Sequence, residues 1–227
     1  MRTTLRATAL ATTALLSLSL VACSAISSSG SSESASASAP ATSESAPPPE
    51  ESAKPSEPSS PEDFTVTEVA DVGLSIAVPS DWLVLDKDST NDPAALEAAA
   101  AAMGTTTDSL TTMLAGSSLL AVDPNSDGGV AGNLLVTDTS LPALPGETEV
   151  TMGQEMIGAT PTTNTEVETA NGTAAAYDYT LEGNGVTVYG SSVLVPAADG
   201  TYATIAVNTG SEAETTSIVE AILGSLA

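Results

Sequence analysis

Hydrophobic and polar positions divide this chain into three regimes. Ala7 to Val21 is apolar and rich in alanine and leucine, Ser24 to Glu62 keeps one larger aliphatic residue, Ile26, and beyond Asp63 apolar positions recur with a definite period. In that third regime, alternation predicts strands over Phe64 to Val69 and Leu74 to Val78 around an Asp71-Val72-Gly73 turn. A short apolar run, Leu83 to Leu85, follows. Pro93 behind Asp92 marks a helix start with its N-cap, and the alanine-rich stretch predicts a helix to about Met103. Asp108 to Ala115 predicts a second helix, with Leu110, Met113 and Leu114 on one face. Strands return at Ser118 to Val122 and Asn133 to Thr137; Glu147 to Ile157 reads as a short helix in preference to a strand.

The late part of the chain carries the strongest pattern. Thr173 to Leu181, Val186 to Val195 and Thr201 to Asn208 read as an antiparallel meander joined by Gly183-Asn184-Gly185 and Asp199-Gly200 turns. Ala175, Tyr177, Tyr179 and Leu181 share one strand face, which reads as core, while Asp178 and Thr180 point the other way. The chain closes with a helix whose local signals agree. Ser211 is the N-cap, Glu214 its capping-box partner three residues on, and Ile218, Val219, Ile222, Leu223 and Leu226 form one stripe that has to pack on the sheet. All six aromatic residues lie within Asp63 to Ala227, a stretch of 165 residues that suits one domain with one core.

The run Val72 to Trp82 (VGLSIAVPSDW), the later runs Gly190 to Val195 (GSSVLV) and Gly200 to Ile205 (GTYATI), and the closing helix resemble the LpqN/LpqT-type lipoproteins of actinobacteria. That family is similar in fold to PsbP, an extrinsic photosystem protein. The resemblance covers most of the domain and implies an α+β fold, an α/β/α sandwich around an antiparallel sheet. The matched positions keep a fold and carry no catalytic residue, so the resemblance implies a binding or scaffold module and assigns no activity.

The N-terminal regime fits the same architecture. Arg2 and Arg6 precede the apolar segment, and Leu20-Val21-Ala22-Cys23 resembles the lipobox in all four positions. The expectation is a lipoprotein signal over residues 1–22, cleavage before Cys23, and acylation of that thiol. An ordinary secretory signal or an uncleaved anchor helix are the alternatives. Cys23 is the only cysteine, so no disulfide can form within the chain, and a lipidated thiol is chemically capped in an oxidising compartment. Residues 23–62 then read as a disordered tether of Ser, Ala, Pro and Glu, too poor in apolar surface to fold. Such a tether spans roughly 35 Å as a coil and up to about 130 Å when stretched. The expected address is the extracytoplasmic face of the cell membrane.

Charge narrows the partners. The chain carries 29 acidic and 4 basic side chains, a formal charge of −25, and from Asp63 onward Lys87 is the single cation. A domain without arginine lacks the groups that grip phosphate backbones, which disfavours nucleic acid and anionic lipid surfaces alike on electrostatic grounds, so no nucleic-acid partner is expected. Membrane contact therefore falls to the acyl group on Cys23.

Candidate chemistry is sparse. Asp123-Pro124-Asn125-Ser126-Asp127-Gly128 matches the first half of a calcium loop, with Asp123, Asn125 and Asp127 as ligands, but the twelfth position is Leu134 where a bidentate glutamate belongs. The same residues also suit a plain hairpin loop. The chain has no histidine, so imidazole acid/base chemistry and the usual zinc ligand sets are absent, and Lys87 lacks Ser-x-x-Lys spacing, Val84 standing three residues before it. No cofactor is implied, and the expectation is a non-enzymatic protein. Two classes of function remain: a tethered module that binds an envelope protein, and a carrier of a lipid, glycolipid or other apolar ligand. The small-residue helix from Ala94 to Ala102 either packs closely on the sheet or leaves room beside it; a closed core excludes the carrier, and an apolar cavity of about 300 Å³ or more would favour it.

Overall fold

A computed structural model describes residues 63–125, 129–183, 185–197 and 199–226. The expected signal, Cys23 and the tether lie outside the described residues. The described chain is α+β: an antiparallel sheet flanked by helices. Strands β1 (Phe64–Val69) and β2 (Leu74–Pro79) form a separate antiparallel hairpin. Its 3-10 turn, Ala70–Val72, ends on Gly73 at φ 63°, a left-handed conformation that a residue without Cβ adopts at least cost. The main sheet has seven strands in the order β3-β4-β5-β9-β8-β7-β6: β3 (Leu83–Leu85), β4 (Leu119–Val122), β5 (Asn133–Leu141), β6 (Thr160–Thr169), β7 (Gly172–Gly183), β8 (Val186–Pro196) and β9 (Tyr202–Thr209).

Helices cover both faces. On one, α4 (Glu212–Ser225) lays Ile218, Val219, Ile222 and Leu223 against the sheet's Leu134, Val136, Val193, Ile205 and Val207, and against the hairpin's Leu74, Ile76 and Val78. Burying each of these aliphatic side chains contributes roughly 1.5–3 kcal/mol before entropy is counted. The Ala77 N–H donates to Ser225 Oγ at 3.2 Å, pinning β2 to the end of the helix. On the other face α1 (Pro93–Ala102) and α2 (Thr107–Ala115) cover β3 and β4 through Leu96, Ala99, Ala100, Leu110 and Leu114. Farther along, α3 (Glu147–Met156) packs Val150 near Ala175, Tyr177 and Leu194.

Local signals act as the sequence suggests at α1, where Asp92 accepts the amides of Ala94 and Ala95 at 3.1 and 3.2 Å, and at α2, where Thr106 caps Ser109. At α4 the capping box is half made. Ser211 Oγ accepts from the Glu214 amide at 3.5 Å, but the Ser211 N–H donates to Thr209 Oγ1 at 3.0 Å instead of to the Glu214 carboxylate.

Two strands differ from expectation. β6 has no counterpart in the apolar pattern: it is an edge strand of mostly exposed residues, five of them threonines, and β-branched side chains hold it extended without an apolar face. β5 continues past Thr137 to Leu141 through a shift of register against β9. There Ser140 takes φ 45° while its N–H and Oγ both donate to Asp138 Oδ1, so a local hydrogen-bonded turn holds the strained backbone.

Adjacent residues of β8 give a direct test of the packing. A Cβ on Gly190 would lie 2.3 Å from the Tyr179 ring, which cannot swing away freely because its hydroxyl donates to Asn208 Oδ1 at 2.8 Å. Gly190→Ala should therefore destabilise by roughly 1–3 kcal/mol. Ser191, fully buried, has an Oγ with no hydrogen-bond partner among the described residues, so Ser191→Ala should be neutral or stabilise by about 1 kcal/mol. Urea unfolding of the two variants checks both signs.

Candidate functional site

Of the residues singled out as a calcium loop, Asp123 and Asn125 are among the described residues. Asp123, at the end of β4, uses Oδ1 to accept the Asn125 amide at 2.8 Å, and its own N–H donates to the Gly132 carbonyl, which makes it a turn residue. Asn125 is exposed and Asp127 lies outside the described residues. Leu134 is fully buried beneath α4, so the twelfth position belongs to the core. Among the described residues, no group of three or more His, Cys, Asp or Glu side chains converges tightly enough to hold a metal ion.

The fold does bring Glu214 within electrostatic reach of two carboxylates from distant parts of the chain, Asp123 and Asp81. Burial, reinforced by Asp123 and then Asp81, raises the Glu214 pKa above the ordinary value of 4.5, while a hydrogen bond with Thr209 opposes the rise. A glutamate in the first turn of α4 gains from the helix dipole, but the net shift is upward, so burial and like charge outweigh the stabilising interactions.

Two clefts open on the surface. The first, about 220 Å³, lies where the hairpin turn meets the β8–β9 turn and includes Asp71, Asp138 and Asp199. All three carboxylates are already engaged. Asp71 pairs with Lys87, Asp138 holds Ser140, and Asp199 Oδ1 accepts both the N–H (2.9 Å) and the Oγ1 hydroxyl (2.6 Å) of Thr201, which lowers its pKa.

The second cleft, about 300 Å³, lies between α3 and the β6–β7 edge. It forms where β6 slips register between Pro161 and Asn164. Gln154 and Tyr177 build its wall: the buried Gln154 amide donates Nε2–H to the Tyr177 carbonyl at 3.0 Å, and the Tyr177 hydroxyl donates to the Pro145 carbonyl at 3.3 Å. On the β-strand side Thr163 Oγ1 donates to Asp178 Oδ2 at 2.7 Å. Burial, with Glu166 and Glu147 adding to it, raises the Tyr177 phenol pKa, so the ring stays neutral at physiological pH. Tyr179 is likewise core, its pKa pushed up to about 12 by burial. The cleft can exchange hydrogen bonds with a polar group. Sequence reading missed Thr163, Asn164 and Gln154 as neighbours. The threonine-rich composition of 160–169 was the available signal, a β-propensity cue without alternation.

No protein-family model matches this chain, and no curated protein matches it.

The Glu214 environment predicts a pH dependence of stability. Above its raised folded pKa the side chain is charged in both states and the full folded-state cost is present; below the ordinary value of 4.5 it is protonated in both and the cost vanishes. Glu214→Gln should therefore have a higher Tm than the wild type at pH 7. The gap should narrow as pH falls through the window from the raised value to 4.5, as followed by thermal melts across that range.

Proposed function

We propose that this chain is an extracytoplasmic lipoprotein of the LpqN/LpqT type, anchored by acylated Cys23 and carrying a PsbP-like domain on the 23–62 tether, and that the domain binds a partner protein of the cell envelope through its surface. The observation that carries this reading is the filled interior. Ala99 is fully buried and Ala100 nearly so, and the space beside α1 is occupied by Leu85, Leu110, Leu114 and Leu120. The small-residue helix thus packs closely, as a rigid binding body requires and a carrier of an apolar ligand does not. Both clefts are open and only about half apolar. The antiparallel sheet with helices on either face supports the PsbP-like assignment.

Two experiments test the proposal. Cys23→Ala should move the protein from the membrane fraction to the soluble or shed fraction; retention in the membrane would remove the anchor assignment. Crosslinking of the natively expressed, lipidated protein, followed by mass spectrometry of proteins and lipids, should recover a discrete envelope protein without stoichiometric lipid. A stoichiometric lipid or glycolipid in its place would overturn the binding module in favour of the carrier.

A further inference from the structure

The outward side of α3 is a surface that folding does not explain. Val150, Thr151 and Gln154 turn toward the sheet, which by helical spacing leaves Glu149, Met152, Gly153 and Met156 on the opposite side. Met152 and Met156, four residues apart and one above the other, are 58% and 72% exposed. Gly153 between them adds no bulk, and nothing lies within 4 Å of where its Cβ would stand. Glu149 on the same side and Glu155 beside Met152 and Met156 are exposed, while Glu147 and Glu166 stand on the side of Tyr177. No basic side chain occupies the last turn of α3. From Asp63 onward the sole cation is Lys87, which is paired with Asp71.

We infer that this face of α3 docks a basic amphipathic helix of a partner protein. The inference rests on the binding-module reading and names the surface that module uses. Unbranched, polarisable methionines adapt to an apolar stripe of varied shape, and the surrounding carboxylates match lysine or arginine flanking that stripe. Charge complementarity excludes the other occupants. A second copy of this domain would bring the same glutamates with nothing to neutralise them, and an anionic lipid surface would be repelled likewise.

The test uses the full chain labelled with [¹³C-methyl]methionine. Met103 and Met113 pack with the α1–α2 cluster and serve as internal references for Met152 and Met156. The probe is a helical peptide of about 18 residues with a leucine stripe and lysine on its other face, long enough to hold a helix. The controls are the same peptide with glutamate for lysine, phosphatidylcholine/phosphatidylglycerol vesicles, and a dilution series of the protein alone. The lysine peptide should shift the Met152 and Met156 methyls saturably and leave the references unmoved. Its affinity should fall on raising salt from about 50 to about 300 mM. The double variant Met152→Gln/Met156→Gln should bind at least about tenfold more weakly. Because both side chains are exposed, it should keep the wild-type Tm.

Shifts spread equally over the Met103, Met113, Met152 and Met156 methyls, no shift at all, equal binding of the glutamate peptide, or undiminished binding by the double variant would overturn the assignment. So would self-association or vesicle binding that the double variant abolishes, because the face would then belong to a second copy or to lipid. In the native crosslinking experiment, a partner captured equally by wild type and double variant overturns the α3 assignment and leaves the binding module standing. Capture of no partner removes both.

Discussion

The contact on which this domain depends is the docking of α4 between the hairpin and the sheet. Its stripe meets β2 on one side and β8 and β9 on the other, so the last element of the described chain holds the opening hairpin to the sheet. The hydrogen bond from the Ala77 amide to Ser225 crosses 148 residues, and closure of this kind comes late because chain entropy is lost before such contacts form. With one cysteine in the chain, no disulfide can share the task. The aliphatic stripe of α4 therefore carries the closure.

The opposite face is divided, and the division bears on function. Two separate apolar clusters, one under α1 and α2 and one under α3, leave a strip of sheet between them where Thr137, Thr139 and Thr204 are half-buried. These hydroxyls are tied inward: Thr139 Oγ1 donates to the Tyr202 carbonyl at 2.8 Å and lies 3.2 Å from Thr204 Oγ1. A strip whose polar groups satisfy one another rigidifies the sheet. For the binding module proposed above, this leaves the exposed edges and helix faces as the recognition surface.

What the sequence disclosed follows the strength of its local patterns. The meander β7–β9 and the stripe of α4 were legible because alternation and helical period coincided with turn and cap residues. α3 was legible as a helix, but its character was not, since a helix with two methionines turned outward breaks the rule that apolar positions mark the core. β6 was hidden for the converse reason: Thr160–Thr169 is an edge strand with almost no apolar residue, and its register is set by pairing with β7. The approach of Asp81, Asp123 and Glu214 was illegible in principle, because it arises from the packing of elements far apart in sequence. The reciprocal half of the α4 cap failed because Thr209, two residues before Ser211, competed successfully for its amide.

The acidic load is not one feature but two. Asp86, Asp92, Asp123, Asp138 and Asp199 each accept a backbone N–H two or three residues onward and so act as turn and cap residues, a role in which aspartate serves as a local acceptor. Their charge is incidental to that role, and it is partly satisfied; the Asp86 pKa is lowered chiefly by its hydrogen bonds with Ser89. Glu147, Glu149, Glu155 and Glu166 belong to a second set, with Glu68, Glu97, Glu168, Glu182, Glu212 and Glu220, exposed on regular structure. Lys87 is held by Asp71 on the hairpin side and leaves them without a cation of the domain's own. A surface charged in this way repels its own copies and attracts any cationic partner weakly and over a broad area, so acidity alone cannot specify where binding occurs. Specificity needs an apolar feature inside the acidic field, where desolvation rewards one geometry over others. On the described surface, α3 places that feature and that field together.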